Sequence, residues 1–426
     1  MTSHPASVAS DEDFFQAFEF ALPVYEMAKL RWRALHDPTD PARTGLNAYW
    51  HQQSIATADD RWVTTPNIDT LYSVAWVDLS QGPVRVRIPA CDGRYVNLAM
   101  LDMYSNNVEW LSQRDVGNGG AELTVVGPHW RGELERDLRV VHAPYDDILL
   151  FARTLVDDQS DTPAAREVQQ GFTVSASLPV TDERAPARSD DVGEDFFSLA
   201  GHALRRNPPR AHEAAIETVL TRVGLMGEPD EASLARWRAL VPGFLQRLRQ
   251  RVPRFNVPVD HWIQWPANMG DFGTSYGLRA TVALGGLLAL PRSEACYTYT
   301  EFDAQDRELH GQNVYCLVLP AEGVPADAFW SLTLYEKMPT GARFLAHNPL
   351  GRHAFTSRSR SLNTSDGKLV IWVSHRRPPP EFESNWLPAP DAPFRLSLRA
   401  YHPSPDLLAG RWQVAAVQRA EDFGVY

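Results

Sequence analysis

Cysteine is scarce in this chain. Its 426 residues include only Cys91, Cys296 and Cys316. An odd, widely spaced set without a CxxC pair excludes a disulfide framework and the usual zinc spacings, and leaves the thiols as small buried residues. Long apolar runs are also missing. The longest candidate, around residues 280–290, is too short to span a bilayer. Positive charge is not in surplus: the formal net charge is −12, which argues against a nucleic-acid or anionic-membrane partner. The first residues, MTSHPASVASDEDFF, lack the basic and apolar regions of a secretory leader, so a cytoplasmic location is expected. Common catalytic signatures are absent as well. There is no GxSxG elbow, P-loop or HExxH, and no GxGxxG opening a helix after a strand. The thirteen histidines are scattered, and the pair His347 and His353 fits no standard metal spacing. Neither a metal nor a cofactor is expected.

What is present is the composition of a large folded protein. Hydrophobic residues make up 44% and charged residues 22%, enough for a sizeable core. The length exceeds that of a single core, so two or more domains are expected. Residues 11–36 carry Phe14, Phe15, Phe18, Leu22, Tyr25, Met27 and Leu30 at helical spacing, predicting helix interrupted near Pro23. From Thr64 to about Phe151 short β-branched and aromatic runs alternate with Gly, Pro and Asp, the texture of closely spaced strands. The turns QGP (from Gln81) and CDGR (from Cys91) suggest hairpins. Residues 155–190 read as a helix fragment and a surface connector, and residues 192–250 as helical by period. A second strand-rich stretch starts near Trp262 and contains one more helix candidate, SYGLRATVALGGLLAL. This order argues against a doubly wound α/β fold. The expectation is a mainly β protein with an α insert. Residues 1–175 would form an N-terminal helix and first β-domain, 176–258 a helical connector, and 259–426 a second β-domain.

Chemistry must then come from polar residues inside strand-like runs. Asn67, Asp69 and Thr70 stand at the entrance of TLYSVAWVDL, followed by Tyr72. A buried Asp there is either part of a turn that bonds nearby amides or a positioned acid. In RYVNLAMLDMYSNN, Arg94, Asp102, Tyr104 and Asn106 have one strand parity. Arg94 and Asp102 would lie about 27 Å apart on a strand, so a pocket would use only the Asp102 end. In FWSLTLYE, Ser331, Thr333 and Tyr335 share a face opposite Trp330. In FRLSLRAYHP, Arg395, Ser397, Arg399 and Tyr401 share one. Such a face is either solvent surface or the lining of a wet cavity, where Arg would hold a carboxylate and Tyr would donate a proton. Trp386, in the loop NWLPAP, either plugs an interface or stacks a ligand.

The blocks TTPNIDTLYSVAWVDLSQGPVRVRIPACDGRYVNLAMLDMYSNN, MGDFGTSYGLRATVALGGLLA, AFWSLTLYE, HNPLGRHAF, DGKLVIWVS, NWLPAPDAPFRLSLRAYHP and LLAGRW cover residues about 60–175 and 260–415. In order and spacing this resembles a bacterial family of two paired domains of unknown function, numbered twelve-fifty-four and twelve-fourteen. The resemblance implies two β-sandwich or jelly-roll-type units joined by helices. It implies no accepted reaction and carries over no catalytic residue. It does place Asn67, Asp69, Thr70, Tyr72, Arg94, Tyr95, Asp102, Tyr276, Arg279, Trp330, Ser331, Tyr335, Asn385, Trp386, Arg399 and Tyr401 on the family's motif positions.

The functional expectation is a cofactor-independent acid–base enzyme on a small organic molecule, by hydrolysis, elimination or cyclisation and isomerisation, in a biosynthetic setting. Asp69, Tyr72, Asp102 and Tyr335 would be catalytic. Asn67, Thr70, Tyr104, Asn106, Trp330, Ser331, Trp386, Arg399 and Tyr401 would bind substrate. A glycan-active hydrolase or lyase and a non-catalytic small-molecule binding protein are the alternatives. The expected partner is the substrate, with no nucleic acid and no membrane; a homo-oligomer is left open.

Overall fold

A computed structural model of the chain describes residues 9–61, 63–133, 139–176, 178, 185–227 and 229–422. Residues 1–8, on which the expectation of no secretory leader rests, and much of the expected connector before 185 lie outside the described residues. The strands of the first half are β1 (Trp50–His51), β2 (Thr70–Asp78), β3 (Val84–Ile88), β4 (Val96–Leu101), β5 (Asn107–Ser112), β6 (Ala121–Val126), β7 (Arg139–His142), β8 (Asp147–Leu155) and β9 (Thr173–Ala176). They form a five-stranded sheet, β1-β2-β8-β4-β5, and a four-stranded sheet, β7-β6-β3-β9. Alternation along the strands explains the stacking. Ala75, Val77, Val86, Leu98, Leu123, Ile148 and Leu150 fill the space between the sheets. Two short helices, α2 (Gln113–Val116) and α3 (Thr162–Gln169), follow β5 and β8.

The expected hairpins at QGP and CDGR are instead crossings between sheets. β2 pairs with β1 and β8, whereas β3 pairs with β6 and β9. Asp92 and Gly93 both take positive φ, 46° and 79°, and this left-handed pair turns the chain back into the first sheet at β4. The strand expected across residues 94–106 also differs. β4 ends at Leu101 after a register shift against β5. Asp102 then caps a turn in which Ser105 has φ 62°, so Arg94, Asp102, Tyr104 and Asn106 do not share a strand face.

The second half contributes β10 (Val257–Val259), β11 (Trp262–Gln264), β12 (Ala295–Thr300), β13 (Tyr315–Pro320), β14 (Ala326–Lys337), β15 (Arg343–Phe344), β16 (Ala354–Thr356), β17 (Lys368–Ser374), β18 (Trp386–Pro388), β19 (Phe394–Pro403) and β20 (Gln418–Arg419). One sheet runs β10-β11-β12-β19-β14-β15 with β16 on β14, and the other runs β18-β17-β13-β20. Leu317, Leu319, Leu332, Leu334, Ile371, Leu396 and Leu398 form the core between them. Both halves are therefore sandwiches, and the chain is mainly β.

Helices α1 (Asp11–His36), α4 (Val192–Arg206), α5 (Ala214–Arg222), α6 (Glu231–Arg249) and α7 (Tyr276–Gly285) make a layer against the first sandwich; α8 (Pro405–Leu408) follows β19. α1 runs unbroken through Pro23, contrary to the expected interruption. A proline inside a helix costs about 3 kcal/mol. Phe14, Phe15, Phe18, Phe20, Leu22, Tyr25 and Met27 are all buried on this helix, each worth about 1.5–3 kcal/mol, so packing outweighs the lost backbone bond. The helices cover one part of the outer face of the five-stranded sheet, through Trp76, Leu101, Leu149 and Phe151. The rest of that face meets the outer face of β12, β19 and β14, where Tyr95 packs edge-on against Phe329 and Tyr401.

Candidate functional site

Two rows of side chains confront each other where the sandwiches meet. Pairing of β2 with β8 and of β8 with β4 aligns Tyr72, Arg153 and Asn97. Pairing of β12 with β19 and of β19 with β14 aligns Tyr297, Arg399 and Ser331. Between the rows lies a cavity of about 550 Å³, lined among others by Asn67, Tyr72, Arg153, Tyr297, Tyr299, Ser397 and Arg399. Its other side is supplied by α7 and by the segments before and after it, with Trp265, Met269, Leu278 and Val282.

The loop entering β2 sets the rim. The side-chain oxygen of Asn67 accepts from the Asp69 amide at 2.7 Å, an Asx turn that folds the chain before the strand starts. The Asn67 amide nitrogen donates to Thr70 Oγ1 at 3.2 Å and to the Tyr401 hydroxyl at 3.3 Å. Asp69 itself is buried. One of its oxygens accepts from Ser331 Oγ at 2.6 Å, and the other, Oδ1, has no hydrogen-bond partner. Burial pushes its carboxyl up, against the Arg399 charge and the Ser331 bond, which pull it down.

Arg399 is buried, and its nitrogens donate to Thr333 Oγ1 at 3.1 Å and the Tyr335 hydroxyl at 2.8 Å. Burial opposes its charge, but Tyr335, Asp69 and Tyr401 outweigh it and hold it protonated. The Tyr335 hydroxyl donates to the Pro66 carbonyl at 2.7 Å, so this hydroxyl is held by the fold. Arg153 donates to the Leu288 carbonyl at 3.1 Å and lies over the Phe151 ring at 4.5 Å. Among the described residues, neither Arg153 nor Arg399 is ion-paired with a carboxylate at contact distance. Arg343 and Arg395, which also line the cavity, differ: both reach Glu301 at 2.7 Å. Burial works against ionisation of Glu301, yet the Arg343 bond and the two guanidinium charges hold its carboxyl down to about 2.

Of the residues expected to be catalytic or to bind substrate, Asn67, Tyr72 and Arg399 line this cavity, as do Arg395 and Ser397 from the same strand face as Arg399. Asp69, Thr70, Ser331, Tyr335 and Tyr401 are not among its lining residues; the first three and Tyr401 are linked by hydrogen bonds through Asn67, and Tyr335 is bonded to Arg399. Asp102, Tyr104 and Asn106 belong to a second cavity of about 320 Å³, shared with Tyr145, Arg210 and Arg279. There Asp102 accepts from the amides of Tyr104 and Asn106 at 2.9 and 3.0 Å. Trp330 points into the second sandwich core. Trp386 lies in a small buried cluster with Cys316 and Trp372, its indole bonded to the Ser374 carbonyl. Neither tryptophan lines either cavity.

Arg153, Tyr297 and Trp265 were not among the residues singled out. The signal for Arg153 was one cation inside DILLFARTL, a strand buried along its whole length. Among the described residues no group of His, Cys, Asp or Glu is arranged to hold a metal ion. No described helix is long and apolar enough to cross a membrane.

Residues 46–176 match the family model DUF1254 and residues 294–405 the model DUF1214, each described as a protein of unknown function. The fold is similar to the crystal structure of the VPA0106 protein from Vibrio parahaemolyticus, with a TM-score of 0.72 and 20% identity over 96% of this chain and 99% of that one. An uncharacterised protein from Burkholderia cenocepacia is more distant, with a TM-score of 0.45 and 12% identity over 94% of this chain and 87% of that one. No curated protein matches the sequence.

Proposed function

We propose that this chain, in which a DUF1254 domain is followed by a DUF1214 domain, takes a small organic anion into the cavity between its sandwiches and acts on it by acid–base chemistry without a cofactor. The observation that carries the reading is the pair Arg153 and Arg399. Both are buried, both line the one cavity, and neither spends its charge on a contacting carboxylate. A buried charge with no carboxylate in contact is costly by up to several kcal/mol; Asp69 offsets part of that for Arg399, and a ligand carboxylate in the cavity would offset more. Of the four arginines that line this cavity, two share Glu301, which leaves Arg153 and Arg399 as cations without a contacting carboxylate in a chain of net charge −12.

Tyr72 and Tyr297, one from each of the facing rows, line the cavity and carry the hydroxyls that would give or take a proton at a bound anion. Two guanidiniums near the carboxylate would also stabilise charge that builds up on it when a neighbouring C–H proton leaves. Elimination or isomerisation beside a carboxylate is therefore favoured over hydrolysis. Asp69 and Tyr335, which are not among the lining residues, act as positioning groups for Arg399. The three cysteines are free, which supports a reducing, cytoplasmic setting.

A second reading, a binding protein that leaves its ligand unchanged, is favoured by one observation: no carboxylate is among the described residues lining the cavity. The same observation gives a carboxylate-pair glycosidase no support. Incubating the protein with a library of small organic acids, then analysing both the retained and the free pool by mass spectrometry, separates the readings. New products that vanish with the Arg399→Ala variant favour the enzyme. Retention of an unaltered acid favours the binder. Equal retention of acids and their amides by wild-type protein removes the anion reading altogether.

A further inference from the structure

We infer that the ligand is amphipathic: a carboxylate carrying an alkyl or aryl body, rather than a compact polar acid. This deepens the anion reading of the same cavity and rests on it for the charged end only.

The two sides of the cavity are made by different elements and have different chemistry. The sheet side brings Arg153 from β8, Tyr72 from β2, Tyr297 from β12 and Arg399 from β19. The opposite side is α7 with the segments flanking it. Met269, Leu278, Val282 and Ala289 form one small apolar cluster there, with Trp265 packed against it, and all five line the cavity. α7 also carries a cation, but Arg279 lines the other cavity, with Asp102 and Arg210. Thr281 lines the main cavity, yet its hydroxyl is already bonded to the Gly277 carbonyl at 2.8 Å, so it asks for no polar partner.

Trp265 marks the seam between the two sides. Its ring lies 5.2 Å from that of Tyr297, centroid to centroid. It also sits so close to Gly286 that a β-carbon there would stand 2.8 Å from the indole. The absence of a side chain at 286 is what lets the indole occupy this place. A small polar acid bound at the arginines would leave this apolar surface facing trapped water. An alkyl or aryl body would cover it, and the volume of about 550 Å³ falls within the usual range for small-molecule sites, about 300–1,000 Å³.

The test is calorimetric titration of the full chain with butyrate, hexanoate and octanoate, and with octanamide as the uncharged control. Affinity is expected to rise about three- to fourfold per methylene along the acids, the gain for burying each group, and octanamide is expected to bind at least thirtyfold more weakly than octanoate. A flat acid series with octanamide silent overturns the apolar wall and leaves the anion site standing. A rising series with octanamide as tight as octanoate keeps the wall and overturns the anion reading. Silence from every probe overturns both. Leu278→Ala, a truncation on the wall side, should flatten the series while butyrate binding stays within about twofold. A Leu278→Ala protein that is folded by circular dichroism and keeps the full slope counts against the inference.

Discussion

Ser331 of the second sandwich donates a 2.6 Å hydrogen bond to Asp69 of the first. The two residues are 262 positions apart in sequence, and the bond ties the entrance of β2 to the centre of β14. Because Asp69 Oδ1 has no partner, this hydroxyl is the direct hydrogen bond that the buried carboxyl receives. Ser331→Ala should cost about 1–3 kcal/mol of stability in urea denaturation, the penalty for leaving a buried polar group unsatisfied. A change within experimental error would show that the bond does not hold the sandwiches together.

Asp69 also makes stability depend on pH in a defined direction. Its carboxyl titrates above the ordinary value of 3.8, because burial outweighs the opposing pull of Arg399 and Ser331. Between 3.8 and its folded value the native state holds a proton that the unfolded chain has lost, so this group's contribution falls as pH rises through that window. Asp69→Asn removes the titration. The difference in stability between variant and wild type should therefore move in the variant's favour between pH 4 and pH 7. A difference that is constant across this range would mean that Asp69 ionises normally in the folded protein.

Arg153 offers a trade between stability and binding. Replacing a buried charge that lacks a counter-ion by an apolar residue of similar length is often neutral or stabilising, by about 1–4 kcal/mol. The rings of Phe151 and Tyr72 already surround this side chain. Arg153→Met should therefore melt at the same temperature as wild type or higher in the absence of ligand, and should lose at least tenfold in affinity for octanoate. Marked destabilisation without loss of affinity would make Arg153 a structural strut.

Much of the charged wall was legible in FRLSLRAYHP, where period-two alternation puts Arg395, Ser397, Arg399 and Tyr401 on one face. Alternation alone does not say what that face meets. In this protein it meets another sheet, which is why Ser331, Thr333 and Tyr335 are buried too. Arg153 was hidden for the same reason, since a strand buried on both faces shows little alternation. Asp102 was read onto one strand face with Tyr104 and Asn106 because the shift at Met100/Leu101, where β4 ends, has no glycine or proline to announce it. The tryptophans misled for a different reason. An indole satisfies its one donor as well in a core as against a ligand, as Trp386 does with Ser374.

Glu301 has the opposite pH signature to Asp69. Its carboxyl is held down to about 2 from an ordinary 4.5 by Arg343 and Arg395, and Lys337 stands 3.2 Å away. The unfolded chain takes up a proton first as pH falls, so this stabilisation is complete above 4.5 and is lost between 4.5 and about 2. Glu301→Gln leaves two half-buried guanidiniums without their carboxylate and should cost about 1.5–3 kcal/mol at pH 7, the scale of a hydrogen bond to a charged group. The gap to wild type should narrow in denaturation curves taken below pH 4.5. A gap that widens on acidification would contradict the ion-pair account.

Tyr72 separates catalysis from binding. The residue lines the cavity, and its ring packs on Phe151 at 4.8 Å between centroids. Tyr72→Phe keeps the ring and its packing and deletes one proton donor. The fold should be unaffected to within about 0.5 kcal/mol, the usual scale for a change that leaves packing intact. If the hydroxyl moves a proton in the reaction, kcat on an identified acid should drop by about 10²–10⁴-fold, while the affinity set by Arg153 and Arg399 changes by less than about threefold. If the hydroxyl only binds, KM rises and kcat stays. Full activity with unchanged KM would remove Tyr72 from the mechanism and leave Tyr297 as the remaining tyrosine of the facing rows to carry the proton.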